Sequence, residues 1–250
     1  MSRLLCSVCG ACSHTNRSMT FDAAAFSVFD VDGLDGRMEA IRAQLWPLFN
    51  KYGRSIAEHV QSRLELEQPL FVHVAKHLRR TAYAPESTWV AIGGDKRGYK
   101  KYPHFQIAIN AQYVAIMLAC IDNPLHEKEI AADFSSRTSD FDDLSSDYVL
   151  IADHTRVSYE ALSEVDCKGF FERVASVKKT EWMIGRVAQP DSAELALNGI
   201  SFKTKTCVFP MTVRTINIKI FVREVITASK TDTAIDNGNF AMIAVINENI

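Results

Sequence analysis

Apolar residues recur every three or four positions from Leu34 to about Leu64, a spacing that predicts helix. Leu34, Met38, Ile41 and Leu45 form one stripe, and Leu48, Phe49, Ile56 and Val60 form a second. Pro47 and Gly53 interrupt the run, so the expectation is two helices or one kinked helix. Upstream, Thr20 is placed to cap a short first helix, with Phe26, Val28 and Phe29 as an apolar entry. Downstream the period shortens. LFVHVA (70–75), TWVAIG (88–93), HFQIAI (104–109) and YVAIMLACI (113–121) read as strands, the last two joined at hairpin distance by Asn110-Ala111-Gln112. Residues 125–132 predict a short helix, 134–147 an acidic Ser-rich loop, 148–153 a strand, 167–179 an amphipathic helix and 181–187 a strand. Consecutive strands with short links, and helices grouped elsewhere, predict an α+β fold: a largely antiparallel sheet flanked by helices.

After about Gln189 the texture changes. Ile200, Phe202, Thr204 and Thr206 alternate with polar residues, as do Ile216, Ile218, Ile220 and Val222, and the two runs suggest a hairpin around Pro210. The expected organisation is a disordered Cys-rich leader over 1–18, an α+β domain over 19–188 and a β-rich or irregular C-terminal extension over 189–250.

Composition narrows the partners. The chain has 250 residues, is 47% hydrophobic and carries a formal net charge of -2. That is enough to fill a sizeable core, but the whole is not a polycation, so attraction for an anion has to come from a local patch. No run of 18 apolar residues is present, which excludes a membrane-spanning helix. MSRLLCSVCGAC lacks the apolar region and cleavage site of a secretory signal, and Cys120, Cys167 and Cys207 stand far apart. Both features point to a reducing, cytoplasmic location.

The local patch lies in the middle of the chain. Between His73 and His104 there are seven Lys or Arg (Lys76, Arg79, Arg80, Lys96, Arg97, Lys100, Lys101) against Glu86 and Asp95. If TWVAIG and HFQIAI are neighbouring strands, GGDKRGYKKYP is the loop between them, with glycines for tight turns and cations for an anion. It is not a P-loop, because Tyr99 stands where lysine is required and a strand follows where a helix is required.

KHLRRTAYAPESTWVAIGGDKRGYKKYPHFQ, together with FSVFDVDGLDGRMEAI, resembles the YktB-like family of uncharacterised bacterial proteins. The matching positions include Phe26, Phe29, Gly33, Arg37, His77, Arg79, Arg80, Pro85, Trp89 and the run Arg97 to Lys101, then Pro103, His104 and Phe105. The likeness spans about residues 19–187. It implies a cytoplasmic α+β domain whose sheet is akin to the biotin-ligase and class II synthetase type of core, and it implies no particular activity. The leader and the β-like tail depart from the family pattern.

The remaining motifs have plainer readings. His73 and His77 have helical metal-site spacing, but a strand at 71–75 would separate them. His104, at a strand start, is a weak candidate for a general acid, and a hydrogen-bonded structural ring is the plainer role. Asp153 and His154 suggest a turn, since neighbours on a strand face opposite ways. Asp140, Asp142 and Asp143 lack the spacing of an EF-hand, and Cys6, Cys9, Cys12 and His14 are too compact for a zinc site. No metal ligand set is therefore expected, and no cofactor is named. Trp46, Trp89 and Trp182 lie in apolar segments and are expected in the core.

The expected function is binding of a phosphate-bearing ligand, a nucleotide or single-stranded nucleic acid. Arg79, Arg80, Lys96, Arg97, Lys100 and Lys101 would meet phosphate, Tyr99 would stack on a base, and His77 and His104 would line the site. A nucleotide-dependent transferase, with His104 assisting, and a protein-docking module with a basic face are the alternatives.

Overall fold

The chain enters its first helix, α1 (Ala23–Phe26), beneath Asp22, whose carboxylate accepts from the backbone N–H groups of Ala24 and Ala25. Asp22, not Thr20, is therefore the cap: an ionised oxygen two residues from the first free N–H is the better acceptor. A computed structural model describes residues 20–64, 66, 69–121, 124–142, 144, 146–190, 192 and 195, and the backbone of 209–213, 218–223 and 241–246.

The long apolar run forms one continuous helical rod. Helix α2 (Leu34–Ala40) passes through a wide turn at Ile41–Leu45 into α3 (Trp46–Leu64). In that turn the Trp46 N–H reaches back to the carbonyl of Ile41. Pro47 comes next, and its missing N–H and bulky ring are accommodated by this widening without breaking the rod. Gly53 does not interrupt the helix either. A Cβ there would fall 2.8 Å from Val72 and 3.2 Å from Val90, so glycine is what lets α3 lie close against the sheet. Met38, Ile41, Leu45, Leu48, Phe49, Ile56 and Val60 are all buried on that side.

The main sheet has the order β1-β2-β3-β4-β7-β5-β6, with every pair antiparallel. Its strands are β1 (Val72–Val74), β2 (Ser87–Ile92), β3 (His104–Asn110), β4 (Val114–Cys120), β5 (Tyr148–Ile151), β6 (Glu160–Ala161) and β7 (Trp182–Ala188). This is the expected α+β class. Asn110 makes the β3–β4 hairpin, its side-chain oxygen accepting from the N–H groups of Gln112 and Tyr113 at 2.7 and 3.0 Å. Two helices cover the β4–β7–β5 part of the sheet, α4 (Glu127–Ser136) and α6 (Cys167–Ser176). Phe134 and Phe171 meet there at 4.9 Å between centroids, over the buried ring of Trp182. The segment expected to be an acidic loop is partly helical: α4 runs into it, and α5 (Ser139–Asp142) lies within it.

Strand register separates the two sheet faces. Val90, Ile92, Phe105, Ile107 and Ile109 belong to the core beneath the helical rod. On the opposite face, His73, Ala91, Gln106, Met117, Gly185 and Val149 form one row across six strands. Trp89, Ala108, Ala115 and Val187 form the neighbouring row. That face holds a second buried cluster, which includes Tyr113, Met117, Ile121, Ile151 and Met183, with Tyr99 and Val157 from loops packed against it.

A second, three-stranded sheet has the order β10-β9-β8, built from β8 (Phe209–Val213), β9 (Ile218–Arg223) and β10 (Ala241–Ile246). Pro210 sits inside β8, an edge strand where a missing N–H is tolerated, and pairs with Phe221 of β9, so the expected turn does not lie at Pro210 itself. The expected run 200–206 and the leader, with Cys6, Cys9, Cys12 and His14, lie outside the described residues.

Candidate functional site

The basic loop between β2 and β3 is shaped by Asp95. Its carboxylate accepts from the N–H of Arg97 at 2.6 Å, from that of Gly98 at 3.1 Å and from the Tyr102 hydroxyl at 3.2 Å. These bonds, the Arg97 N–H first, hold the carboxyl below the usual carboxylate range. Gly94 has φ +73°, and a Cβ there would fall 2.4 Å from the Gly98 carbonyl, so only glycine suits this corner. The turn throws Lys96, Arg97, Lys100 and Lys101 outward, all exposed, and folds Tyr99 back over the sheet.

Tyr99 is half-buried, and its contacts hold the loop down. Its ring meets His104 edge-on at 4.6 Å and His73 at 5.7 Å, and its hydroxyl accepts from the Trp89 indole N–H at 2.8 Å. His104 lies beneath it, 1% exposed. Its Nδ1 is 2.9 Å from the Tyr102 carbonyl and its Nε2 is 3.4 Å from the Gln106 side-chain oxygen. Burial drives its pKa down to about 4, so the ring is neutral near pH 7 and pins the strand start to the loop. His73 is also lowered by burial, and its Nε2 is enclosed without a partner.

The other basic pair lies before β2. Arg37 ties this segment to α2 by donating to the Pro85 carbonyl at 3.3 Å. Arg79 and Arg80 are exposed, as are Leu78 and Tyr83, each 83% accessible. His77 takes a left-handed backbone (φ +50°), which turns its ring inward to Thr88 at 3.0 Å. Burial, then the charge of Arg80, lowers its pKa to about 4.

Trp89 joins these parts. The edge-on ring of His77 lies 5.4 Å from it on one side and that of His154 6.0 Å on another. It is half-buried on the loop-covered face, so the expectation of a core tryptophan holds for Trp182 and not for Trp89. The alternation Trp89-Val90-Ala91-Ile92 carried that signal, because Val90 and Ile92 take the core face. His154 arrives on the loop after β5. The turn expected there is present: Asp153 accepts from the Thr155 N–H and hydroxyl at 2.8 and 2.6 Å. Sequence reasoning missed the partner of His154, the carboxylate of Glu181 at 2.6 Å, because 27 residues separate the two.

The sequence-derived candidates thus divide. Tyr99 and His77 meet Trp89, and His104 meets Tyr99. Arg79 and Arg80 stand before β2, and Lys96, Arg97, Lys100 and Lys101 after it. Six residues of strand put the two ends of β2 roughly 17–20 Å apart.

Comparison with known proteins places this arrangement. A domain of unknown function, DUF1054, matches residues 21–208. The chain belongs to the DUF1054 family. A UPF0637 protein of Enterococcus faecalis is 43% identical over 174 residues, 70% of this chain and 85% of the relative. A UPF0637 protein of Oceanobacillus iheyensis is 39% identical over 161 residues, 64% and 77% of the two chains. One from Listeria monocytogenes is 35% identical over 176 residues, 70% and 85%. The resemblance read from the central motifs is thereby borne out.

Elsewhere in the DUF1054 domain the chemistry is quieter. Asp140 pairs with Arg137 at 2.5 Å and Asp147 with Arg186, so these acids neutralise their own surroundings. A hollow of about 350 Å³ between Thr138–Leu144 and Leu162–Lys168 includes Cys167. Burial, then Asp166 and Asp142, raises that thiol's pKa, the reverse of an activated nucleophile. Asp153, His154 and Glu181 are the group among the described residues whose ligand atoms gather within 4.8 Å. His73 and His77 diverge, one toward Tyr99 and the other toward Trp89. No helix among the described residues is long and apolar enough to cross a membrane.

Proposed function

We propose that this is a cytoplasmic protein that binds single-stranded nucleic acid along the two basic loops that flank β2. The observation that carries the reading is the spread of exposed cations to both ends of β2, with Trp89 between them. A single nucleotide needs its cations converged on one phosphate group. Cations distributed over roughly 17–20 Å suit a backbone of several phosphates, whose bases stack on aromatic rings along the way. Tyr99 is engaged with Trp89, His104 and His73, so its part is to position the basic loop. The stacking role falls to Tyr83, exposed beside Arg79 and Arg80.

Anisotropy of short labelled single-stranded RNA and DNA, measured with the full chain at low salt, tests this. Binding should be weakened both by Lys100→Ala with Lys101→Ala and by Arg79→Ala with Arg80→Ala. ATP should compete poorly. A chain that ignores both strands but melts higher with ATP would favour the nucleotide reading, in which one loop suffices. Indifference to all of them would leave a protein-docking face and overturn the proposal.

A further inference from the structure

Strand binding makes no use of the contact between His154 and Glu181. Glu181 stands just before β7 and His154 on the loop after β5, and one carboxylate oxygen holds the other residue twice. Glu181 Oε2 is 2.6 Å from His154 Nδ1 and 3.3 Å from the His154 backbone N–H. Together these bonds fix the ring's position and its tautomer: Nδ1 carries the proton toward Glu181, and Nε2 is the basic nitrogen. The side chains are 21% and 18% exposed, sheltered yet reachable, and the imidazole packs edge-on against Trp89. The ring therefore borders the path proposed for the strand.

With Asp153 added, the same atoms have a composition that suits a divalent metal. Their bonding favours another use. Asp153 Oδ1 is engaged by Thr155 and its Oδ2 faces Arg156 at 3.3 Å, while His154 Nδ1 is hydrogen-bonded to Glu181. An imidazole oriented by a carboxylate is the arrangement enzymes use to move a proton.

We infer that His154, positioned by Glu181, is the general base of phosphodiester hydrolysis on a strand held against Trp89. The inference rests on the nucleic-acid reading above. A water oxygen bonds to phosphorus while its proton passes to His154 Nε2. The bond from phosphorus to the leaving sugar oxygen, in line on the far side, breaks; that oxygen takes a proton from solvent, and the imidazolium gives its own back to solvent. Glu181 stabilises the imidazolium in between. Charged groups around the pair include Asp153, Arg156 and, facing Glu181, the carboxyl of Glu127.

The test incubates the full chain with labelled single-stranded RNA and DNA, with and without EDTA, beside His154→Ala and Glu181→Gln. Melting curves check that both variants fold, and anisotropy checks that both still bind. The expected result is EDTA-resistant cleavage that falls about 100-fold or more in His154→Ala. Glu181→Gln should shift the rising limb of the pH–rate profile, which a purely structural glutamate would not do. A strand bound but left intact, or cut equally by His154→Ala, would overturn the inference and leave the binding reading standing. Cleavage abolished by EDTA and restored by Mn²⁺ would overturn it in favour of a metal trio. Failure to bind any strand would overturn both.

Discussion

At the scale of single residues, the site depends on small geometric permissions and on burial. Gly94 is the sharpest case. Gly94→Ala would force a left-handed corner on a residue with a Cβ and strain the loop by about 1–3 kcal/mol. Strand affinity should fall although no cation has been removed, while the global melting temperature changes little; anisotropy and a thermal melt read the two separately. Burial also sets two opposed pH responses. His104 titrates at about 4 when folded and near 6.5 when unfolded, so between these values the unfolded chain binds more protons. Its contribution is complete above about pH 6.5 and lost as pH falls to about 4, by roughly 3 kcal/mol for a ring so fully buried. Urea unfolding of His104→Gln should show a smaller loss between pH 7 and 4.5 than the native chain. Glu127 runs the other way. Burial, then Glu181, lifts its pKa to about 7, and its Oε1 is enclosed without a partner. The unfolded carboxyl ionises near 4.5, so this residue costs stability as pH rises from about 4.5 to 7. Glu127→Gln should stabilise the chain at pH 8 by about 1 kcal/mol after solvent screening, with little effect at pH 4.5.

At the scale of elements, the two helical layers hold the sheet by different means. The rod of α2 and α3 lies flat because Gly53 admits Val72 and Val90, and α4 and α6 grip through a knot of rings. Phe171 is fully buried in that knot, touching Phe134, Phe141 and Trp182, so Phe171→Ala should cost about 3–5 kcal/mol in urea unfolding. Elements of this kind were legible from sequence because burial writes a local period. The strands of the main sheet fall where alternation placed them, except β6, two residues long and too short to alternate. The continuity of the rod was legible only as one of two alternatives, since Pro47 reads as a break unless the wide turn before it is known. Nor was the order of the sheet: β7 lies between β4 and β5, a pairing that no local pattern encodes. The same limit hid the site's centre. The cations announced themselves by composition, whereas His154 and Glu181 meet only once β5 and β7 are neighbours.

At the scale of the molecule, a chain of net charge -2 carries Arg79, Arg80, Lys96, Arg97, Lys100 and Lys101, all exposed, on the two loops that flank β2. Overall charge gives such a protein no general affinity for polyanions, so a strand has to be held by a local patch, and a strand on this one must be released by salt. The most direct measurement is the affinity for single-stranded RNA across a series of salt concentrations, for the native chain and for Lys100→Ala with Lys101→Ala. If six phosphates are neutralised, log K should fall against log salt with a slope near about −4, and the double variant should flatten it by about 1.4. A strand that does not bind at low salt, or a slope unchanged by the two substitutions, would contradict the assignment of these loops as the binding site.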